Sequence, residues 1–156
     1  MLRQAFSDRL KAAMKARDSR TLGTVRLILA GLKERDIEAR TLGNREPGNA
    51  GSLTDPEIAR MLQGMIKQRR ESIGLYEAGN RADLARQERE EIAVIESFLP
   101  RQLNEGEIEV AVRAAIAESA ASSLKDMGKV MTTLRQRHAG SLDLGRAGAI
   151  VKRLLG

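Results

Sequence analysis

Glu88, Glu90, Glu91 and Glu96 are the first residues in this chain whose types and spacing could do chemistry. On a helix, Glu88 and Glu91 meet on one face with Glu96 nearby, the arrangement that acid/base catalysis or a hard divalent cation needs. Arg86, Arg89 and Arg101 stand close enough in sequence to neutralise them, so the expectation is a charged outer face with no metal and no catalytic role. Ser122-Ser123-Leu124-Lys125 has the serine-to-lysine spacing of some acyl-transfer enzymes. The companion motifs that build such a site are missing, and a polar loop between helices is expected. His138 is the single histidine; without a partner it is expected to be structural, near the negative end of a helix dipole. The glycine-rich run from Leu42 to Gly51 lacks both a lysine-serine/threonine ending and a preceding strand, so it cradles no phosphate. No cofactor is implied.

Composition narrows the classes further. The 156 residues contain no cysteine, which excludes disulfides, thiol catalysis and cysteine-ligated zinc. Aromatic residues make up 2% of the chain against 42% apolar overall, so the core is aliphatic and platforms for stacking bases are scarce. The formal charge is +6 and the pI near 10.2, which points to an anionic partner. No run approaches a membrane span, and Met1 to Gln4 lead into an amphipathic pattern instead of a signal peptide; the expectation is a cytoplasmic protein without membrane contact.

The elements that would position these residues read as helices throughout. Leu2, Phe6, Leu10, Ala13 and Met14 repeat at three and four residues and predict a first helix over 2–15. Thr21 is expected to cap a second helix running to about Arg40, whose Leu22, Val25, Leu27, Ile28, Leu29 and Leu32 make it the most buried. Thr41 to Leu53 carries too many turn formers for regular structure and is expected to be a mobile surface loop. Thr54-Asp55-Pro56-Glu57 is a capping box that starts a third helix, with Ile58, Leu62, Met65, Ile66, Ile73 and Tyr76 as its stripe and Gly79-Asn80 as its stop. A fourth helix, about Ala82 to Phe98, buries Leu84, Ile92, Ile95, Phe98 and Leu99 and breaks at Pro100. Asn104-Glu105-Gly106-Glu107 then caps a fifth. Met127, Val130, Met131 and Leu134 mark a sixth, Gly140 its left-handed stop, and Asp143 caps a seventh carrying Leu144, Ala147, Val151, Leu154 and Leu155. The fold class is all-α in two units: an amino-terminal four-helix bundle-like domain over 1–100 and a small carboxy-terminal three-helix bundle over 101–156.

Three stretches carry a family resemblance: LKAAMKARDSRTLGTVRLILAGLKERDIEAR, IKQRRESIGLYEAGNRADLARQEREEIAVIESFLPRQL and DMGKVMTTLRQRHAGSLDLGRAGAIVKRLL. Together they resemble the GatB/YqeY family, with Lys67-Gln68-Arg69-Arg70, Phe98-Leu99-Pro100 and Gly128-Lys129-Val130-Met131 the most specific pieces. The resemblance extends to the tail of the B subunit of the aspartyl/glutamyl-tRNA amidotransferase, which helps hold the tRNA. It implies a link to glutamine-dependent amide transfer on charged tRNA, with tRNA and an amidotransferase or tRNA synthetase as partners. Free-standing members lack the synthetic core, so a label of carbon–nitrogen ligase with glutamine as amido-N-donor would be inherited from the fusion partner.

Basic residues are therefore the leading site candidates. Arg26, Lys33 and Arg40 recur at intervals of seven and form one ridge on the second helix. Arg60, Lys67 and Arg70 share a side of the third, and Lys129, Arg135, Arg137, Arg146, Lys152 and Arg153 spread through the small bundle. If that bundle acts as the family tail does, Lys129, Arg146 and Lys152 converge on a phosphate backbone, with Arg135 beside them. The expected function is a non-catalytic tRNA-binding or adaptor module of amidotransferase chemistry. The alternatives are a ligase in its own right, or a protein–protein adaptor gripping its partner through an apolar helix face. The sequence leaves oligomeric state open.

Overall fold

A computed structural model describes residues 1–42, 51–138 and 140–156, and its architecture is all-α, with no strand among the described residues. The helices are α1 (Leu2–Ala16), α2 (Ser19–Thr41), α3 (Asp55–Ala78), α4 (Ala82–Glu96), α5 (Glu105–Glu118), α6 (Met127–Arg137) and α7 (Leu144–Leu155), with a 3-10 turn (Leu124–Asp126) leading into α6. Most of the segment expected to be a mobile loop, residues 43–50, lies outside the described residues.

The helix ends are written in local chemistry. Arg17 ends α1 with φ 54, and the Asp18 amide donates back to the Ala13 carbonyl at 3.0 Å. Asn80 (φ 56) and Ala120 (φ 53) end α3 and α5 in the same way, with the Arg81 amide reaching Tyr76 O at 2.8 Å and the Ala121 amide reaching Ile116 O at 3.1 Å. Asp18, not Thr21, caps α2: its carboxylate accepts the Thr21 amide at 3.1 Å and the Thr21 hydroxyl at 2.6 Å. An ionised acceptor satisfies two donors where a threonine hydroxyl would satisfy one, so the helix begins three residues earlier. At α3 the Thr54 amide donates to Glu57 at 2.7 Å, and at α5 Asn104 and Glu107 exchange two bonds, the Asn104 amide donating at 3.1 Å and the Glu107 amide at 2.9 Å. Asp143 accepts the Arg146 amide at 3.1 Å to start α7.

The chain forms two compact units, Met1–Leu99 and Pro100–Gly156. In the first, α1 and α2 pair as one hairpin and α3 and α4 as another, with α4 also packing on α2. Their shared core holds Phe6, Val25, Ile28, Leu32, Ile58, Met61, Leu62, Ile66, Val94, Ile95 and Leu99. Phe6 meets Phe98 edge to face at 4.8 Å, and the Arg9 guanidinium lies 5.7 Å over the Phe98 ring. In the second, α5, α6 and α7 all touch one another around Ile108, Val112, Val130, Leu134, Leu142, Ala147, Ile150 and Val151.

Three sequence expectations are corrected here. Leu27 does not belong to the buried stretch of α2: it is 52% exposed, as is Ile37, because the buried stripe of that helix is Thr21, Thr24, Val25, Ile28 and Leu32. Met14 is 56% exposed, and Ala13 holds its place in the core, since a small residue is what the closely packed hairpin admits. α4 stops at Glu96 in place of Phe98, and the chain tightens into i+3 turns, Phe98 to Ile95 at 3.1 Å and Leu99 to Glu96 at 3.0 Å, because the residue before Pro100 is barred from the helical region.

Candidate nucleic-acid interface

In the carboxy-terminal unit, nine Lys and Arg against six Asp and Glu leave a net +3. How those cations are engaged matters more than their number. Arg101 is bound to Glu107, Arg137 to Glu118, and Arg113 and Arg153 both to Glu109. Lys129, Arg135 and Lys152 are exposed and form no ion pair with any described residue. Arg146 sits between the two groups, exposed, with its guanidinium 4.0 Å from the Asp143 carboxylate that caps its own helix.

The elements place these side chains in distinct ways. Lys129 stands in the first turn of α6, one position before the buried Val130, and Arg135 follows the buried Leu134 in the last turn. The Asp126 carboxyl just ahead of α6 is held below the usual range, first by the Ser122 amide that donates to it and more weakly by the charge of Lys129. Arg146 and Lys152 bracket α7, separated along the axis by about 9 Å and around it by about 120°. They therefore flank a surface and do not stack on a ridge. The Met127 methyl lies 3.6 Å from where a Cβ on Gly148 would stand, which brings the start of α6 against the middle of α7.

The amino-terminal unit carries the second set. Arg26, Lys33 and Arg40 are all exposed on α2, and none forms an ion pair with a described residue. Lys33 and Arg40 also border a cleft of about 340 Å³ whose apolar wall is Leu29, Leu32 and Ile37. The cleft ends at a closed polar knot. Arg3 donates to both oxygens of Asp36 at 2.9 Å and to the Leu53 carbonyl at 3.1 Å, while the Leu53 amide donates to Asp36 at 2.8 Å. The Arg3 guanidinium and then the Leu53 amide hold the Asp36 carboxyl below the usual range against the opposing effect of burial. Arg40 lies across Gly51: a Cβ there would come within 2.2 Å of Arg40 Cγ, and Gly51 has φ +72. Sequence reasoning passed over this cleft. Its one legible signal is Ile37, an apolar residue on the polar side of α2 between Lys33 and Arg40.

The other candidates resolve differently from the sequence reading. The carboxylates of α4 do not pair with Arg86, Arg89 and Arg101. Glu91 binds Arg69 of α3 at 3.0 Å, Glu88 lies 3.9 Å from the same guanidinium, Glu90 takes Arg20 of α2 at 3.1 Å, and Glu96 takes Arg70 at 3.5 Å. Arg89 turns to Glu77 and Arg101 to Glu107. Arg69 and Glu91 each keep only 12% of side-chain exposure, so this is an ion-pair seam between helices and not an outer face. Burial, and then the neighbouring Glu91 charge, raises the Glu88 carboxyl, with Arg69 opposing. No group of three or more metal-ligating side chains exists among the described residues. Ser122 spends its amide on Asp126, and Lys125 lies in the 3-10 turn, exposed. The His138 amide donates to Leu134 at 2.9 Å, and its carbonyl accepts the Ser141 amide at 3.2 Å, so the residue closes α6. Arg60 and Lys67 are exposed on α3, whereas Arg70 is drawn to Glu96.

Comparison with known proteins follows this geometry. Two curated relatives share the name altered inheritance of mitochondria protein 41, mitochondrial. The one from Lachancea thermotolerans is 28% identical over 130 residues, covering 83% of this chain and 62% of its own length. The one from Vanderwaltozyma polyspora is 30% identical over 90 residues, 58% of this chain and 44% of its own. The matched region thus spans from under half to about three fifths of these relatives. Among the described residues no helix is long and apolar enough to cross a membrane. The model of the family described as Yqey-like protein matches residues 3–155, across both helical units and every cation named above, and the chain belongs to that family.

Proposed function

We propose that this chain is a non-catalytic tRNA-binding module that serves glutamine-dependent amide transfer on charged tRNA, with its carboxy-terminal unit resting on the tRNA backbone. The observation that carries the reading is the set of exposed cations Lys129, Arg135 and Lys152, which form no ion pair with any described residue in a unit where most other arginines are paired. Cations free of internal partners release phosphate counterions on contact without first breaking a bond, so they favour binding to a polyanion most. The absence of cysteine, together with a Ser122 and Lys125 that have no supporting groups, speaks against a glutaminase or ligase centre within these residues. The cytoplasm, as the aqueous compartment where such a module would meet tRNA, belongs to the same reading; the relatives above carry the word mitochondrial in their names.

The test is titration of tRNA at several salt concentrations for the parent chain and for the combined Lys129→Ala, Arg146→Ala and Lys152→Ala variant. Each lost phosphate contact should flatten the slope of log affinity against log salt by slightly less than one unit, and all tRNAs should be weakened alike. A folded triple variant with unchanged slope overturns the carboxy-terminal interface.

A further inference from the structure

The basic ridge of α2 and the cleft beside it have no part in the carboxy-terminal interface, and their chemistry is more specific than that of the exposed lysines elsewhere. Arg26, Lys33 and Arg40 follow one another at about 10 Å along the axis with only about 20° of drift per step, so they form a nearly straight line over about four turns. Ala30 lies between the first two on the exposed side, and Gly23 extends the open side before Arg26, where a Cβ would meet nothing within 4 Å. Glu34 and Glu38 fall to one side of the line, and Asp36, the acid nearest the cleft, is consumed by Arg3 and the Leu53 amide. The cations thus face outward and form no ion pair with a described residue, Arg40 having only a weak charge interaction with Asp36, beside an apolar wall in which Ile37 is 52% exposed.

We propose that this ridge and cleft bind single-stranded RNA: successive phosphates lie along Arg26, Lys33 and Arg40, and one unstacked base rests against Leu29, Leu32 and Ile37. The linear repeat selects a polymer, since a single anionic head group would use one cation and leave two without purpose. The apolar wall selects a strand whose bases are free, because a duplex keeps its bases stacked and offers no free base face to lie against it. Binding is expected to be tolerant of sequence: the hydrogen-bonding groups at the closed end of the cleft are already saturated, so shape and apolar contact remain to recognise the base. Gly51 has a positioning role. It lets the Arg40 stem lie flat against the backbone and so fixes where that guanidinium stands. The inference rests on the RNA reading above and adds to it a second contact in the other unit.

The experiment uses the full chain and a fluorescent oligouridylate of about ten nucleotides, with an RNA duplex of equal length as comparison. The parent should bind the single strand more tightly than the duplex. Removing the ridge by Arg26→Ala, Lys33→Ala and Arg40→Ala should flatten the salt slope by about 2 for a single strand. Ile37→Asp, at an exposed position where folding is spared, should cost about fivefold or more in affinity by setting a charge against the base and phosphate. Lys11→Ala, Lys15→Ala and Arg86→Ala together remove the same charge away from the ridge and should leave the single-strand slope nearly unchanged. The proposal is overturned if the off-ridge variant loses as much as the ridge variant, if Ile37→Asp binds as the parent does, or if the duplex is preferred. It is equally overturned if vesicles of anionic lipid, in place of RNA, show the Ile37 dependence. The Lys129, Arg146 and Lys152 variant should keep its oligouridylate binding while losing tRNA affinity, so failure at the ridge and failure of the carboxy-terminal interface give different patterns.

Discussion

The amide of Leu103 donates to the carbonyl of Ser141 at 2.9 Å, tying the chain that enters the carboxy-terminal unit to the turn between α6 and α7. Gln102 reinforces the tie: its side-chain amide donates to the Gly140 carbonyl at 2.6 Å and to Pro100 at 2.9 Å. Residues 102 and 103 are therefore part of the small bundle, and Leu103 packs against its core. Gln102→Ala should destabilise this unit by about 1 kcal/mol, the usual net worth of a lost hydrogen bond, and raise exchange at the Leu103 amide. Hydrogen exchange by NMR reads both effects; unchanged Leu103 protection would contradict the tie.

Glu107 should make the stability of that unit depend on acid. Its carboxyl is lowered from an ordinary 4.5 to about 2, first by the Arg101 guanidinium and then by the Asn104 amide. A carboxyl whose folded pKa lies below its unfolded one contributes stability that is fully present above the unfolded value and disappears as pH falls through the folded one. The contribution should hold above pH 4.5 and fade toward pH 2. Glu107→Gln should flatten that part of the profile in urea melts, and NMR titration of the Glu107 carboxyl gives the pKa directly.

The seam between α3 and α4 predicts an opposite pH response. Arg69→Met leaves Glu88 and Glu91 mostly buried without their shared cation, and should cost about 3 kcal/mol at neutral pH. Glu88 is already raised by burial, so its penalty is present above its folded pKa and is relieved as protonation sets in below it. The variant should recover part of its loss on mild acidification, whereas the parent should not gain comparably. Denaturant midpoints for both chains, followed from neutral pH into mild acid, decide it.

Two non-overlapping cores imply two separable transitions. Phe6 and Leu134 are almost fully buried, the first in the amino-terminal core and the second in the carboxy-terminal one. Phe6→Ala should remove about 3–5 kcal/mol from residues 1–99, and Leu134→Ala about 2–5 kcal/mol from residues 100–156. Hydrogen exchange followed by mass spectrometry should show each loss confined to its own unit; a uniform loss in both would mean that the chain unfolds as one body.

Helix-ending residues offer a gain instead of a loss. Ala120 adopts φ 53 at the end of α5, where a side chain is disfavoured and glycine is not. Ala120→Gly should be neutral to stabilising by about 1 kcal/mol, since relief of strain outweighs the added freedom of the unfolded chain. A melting temperature below the parent's would contradict the strain argument.

What the sequence alone determined lay almost entirely within about four residues. Thr54 with Glu57, Asn104 with Glu107, and Asp143 with Arg146 each close a hydrogen bond across a single turn, so their helix starts were legible from spacing. The break ahead of Pro100 was equally local, as was the stripe Ile58, Leu62, Ile66 that faces the core. Asp18 shows where such reading slips: two oxygens beside Thr21 outcompete the threonine hydroxyl, and nothing in the spacing ranks one cap over the other. The pairing of charges belonged to the tertiary structure. Glu91 had arginines within a few residues on its own helix and took Arg69 from α3, because a half-buried site between helices strengthens an ion pair that water would otherwise screen. The same holds for Arg3, Asp36 and Leu53, which close one end of the cleft from positions far apart in the chain. That closure leaves Lys33 and Arg40 without an ion pair to a described residue and Ile37 half in solvent, so the face of α2 that can receive a ligand was decided by packing and not by the helical pattern.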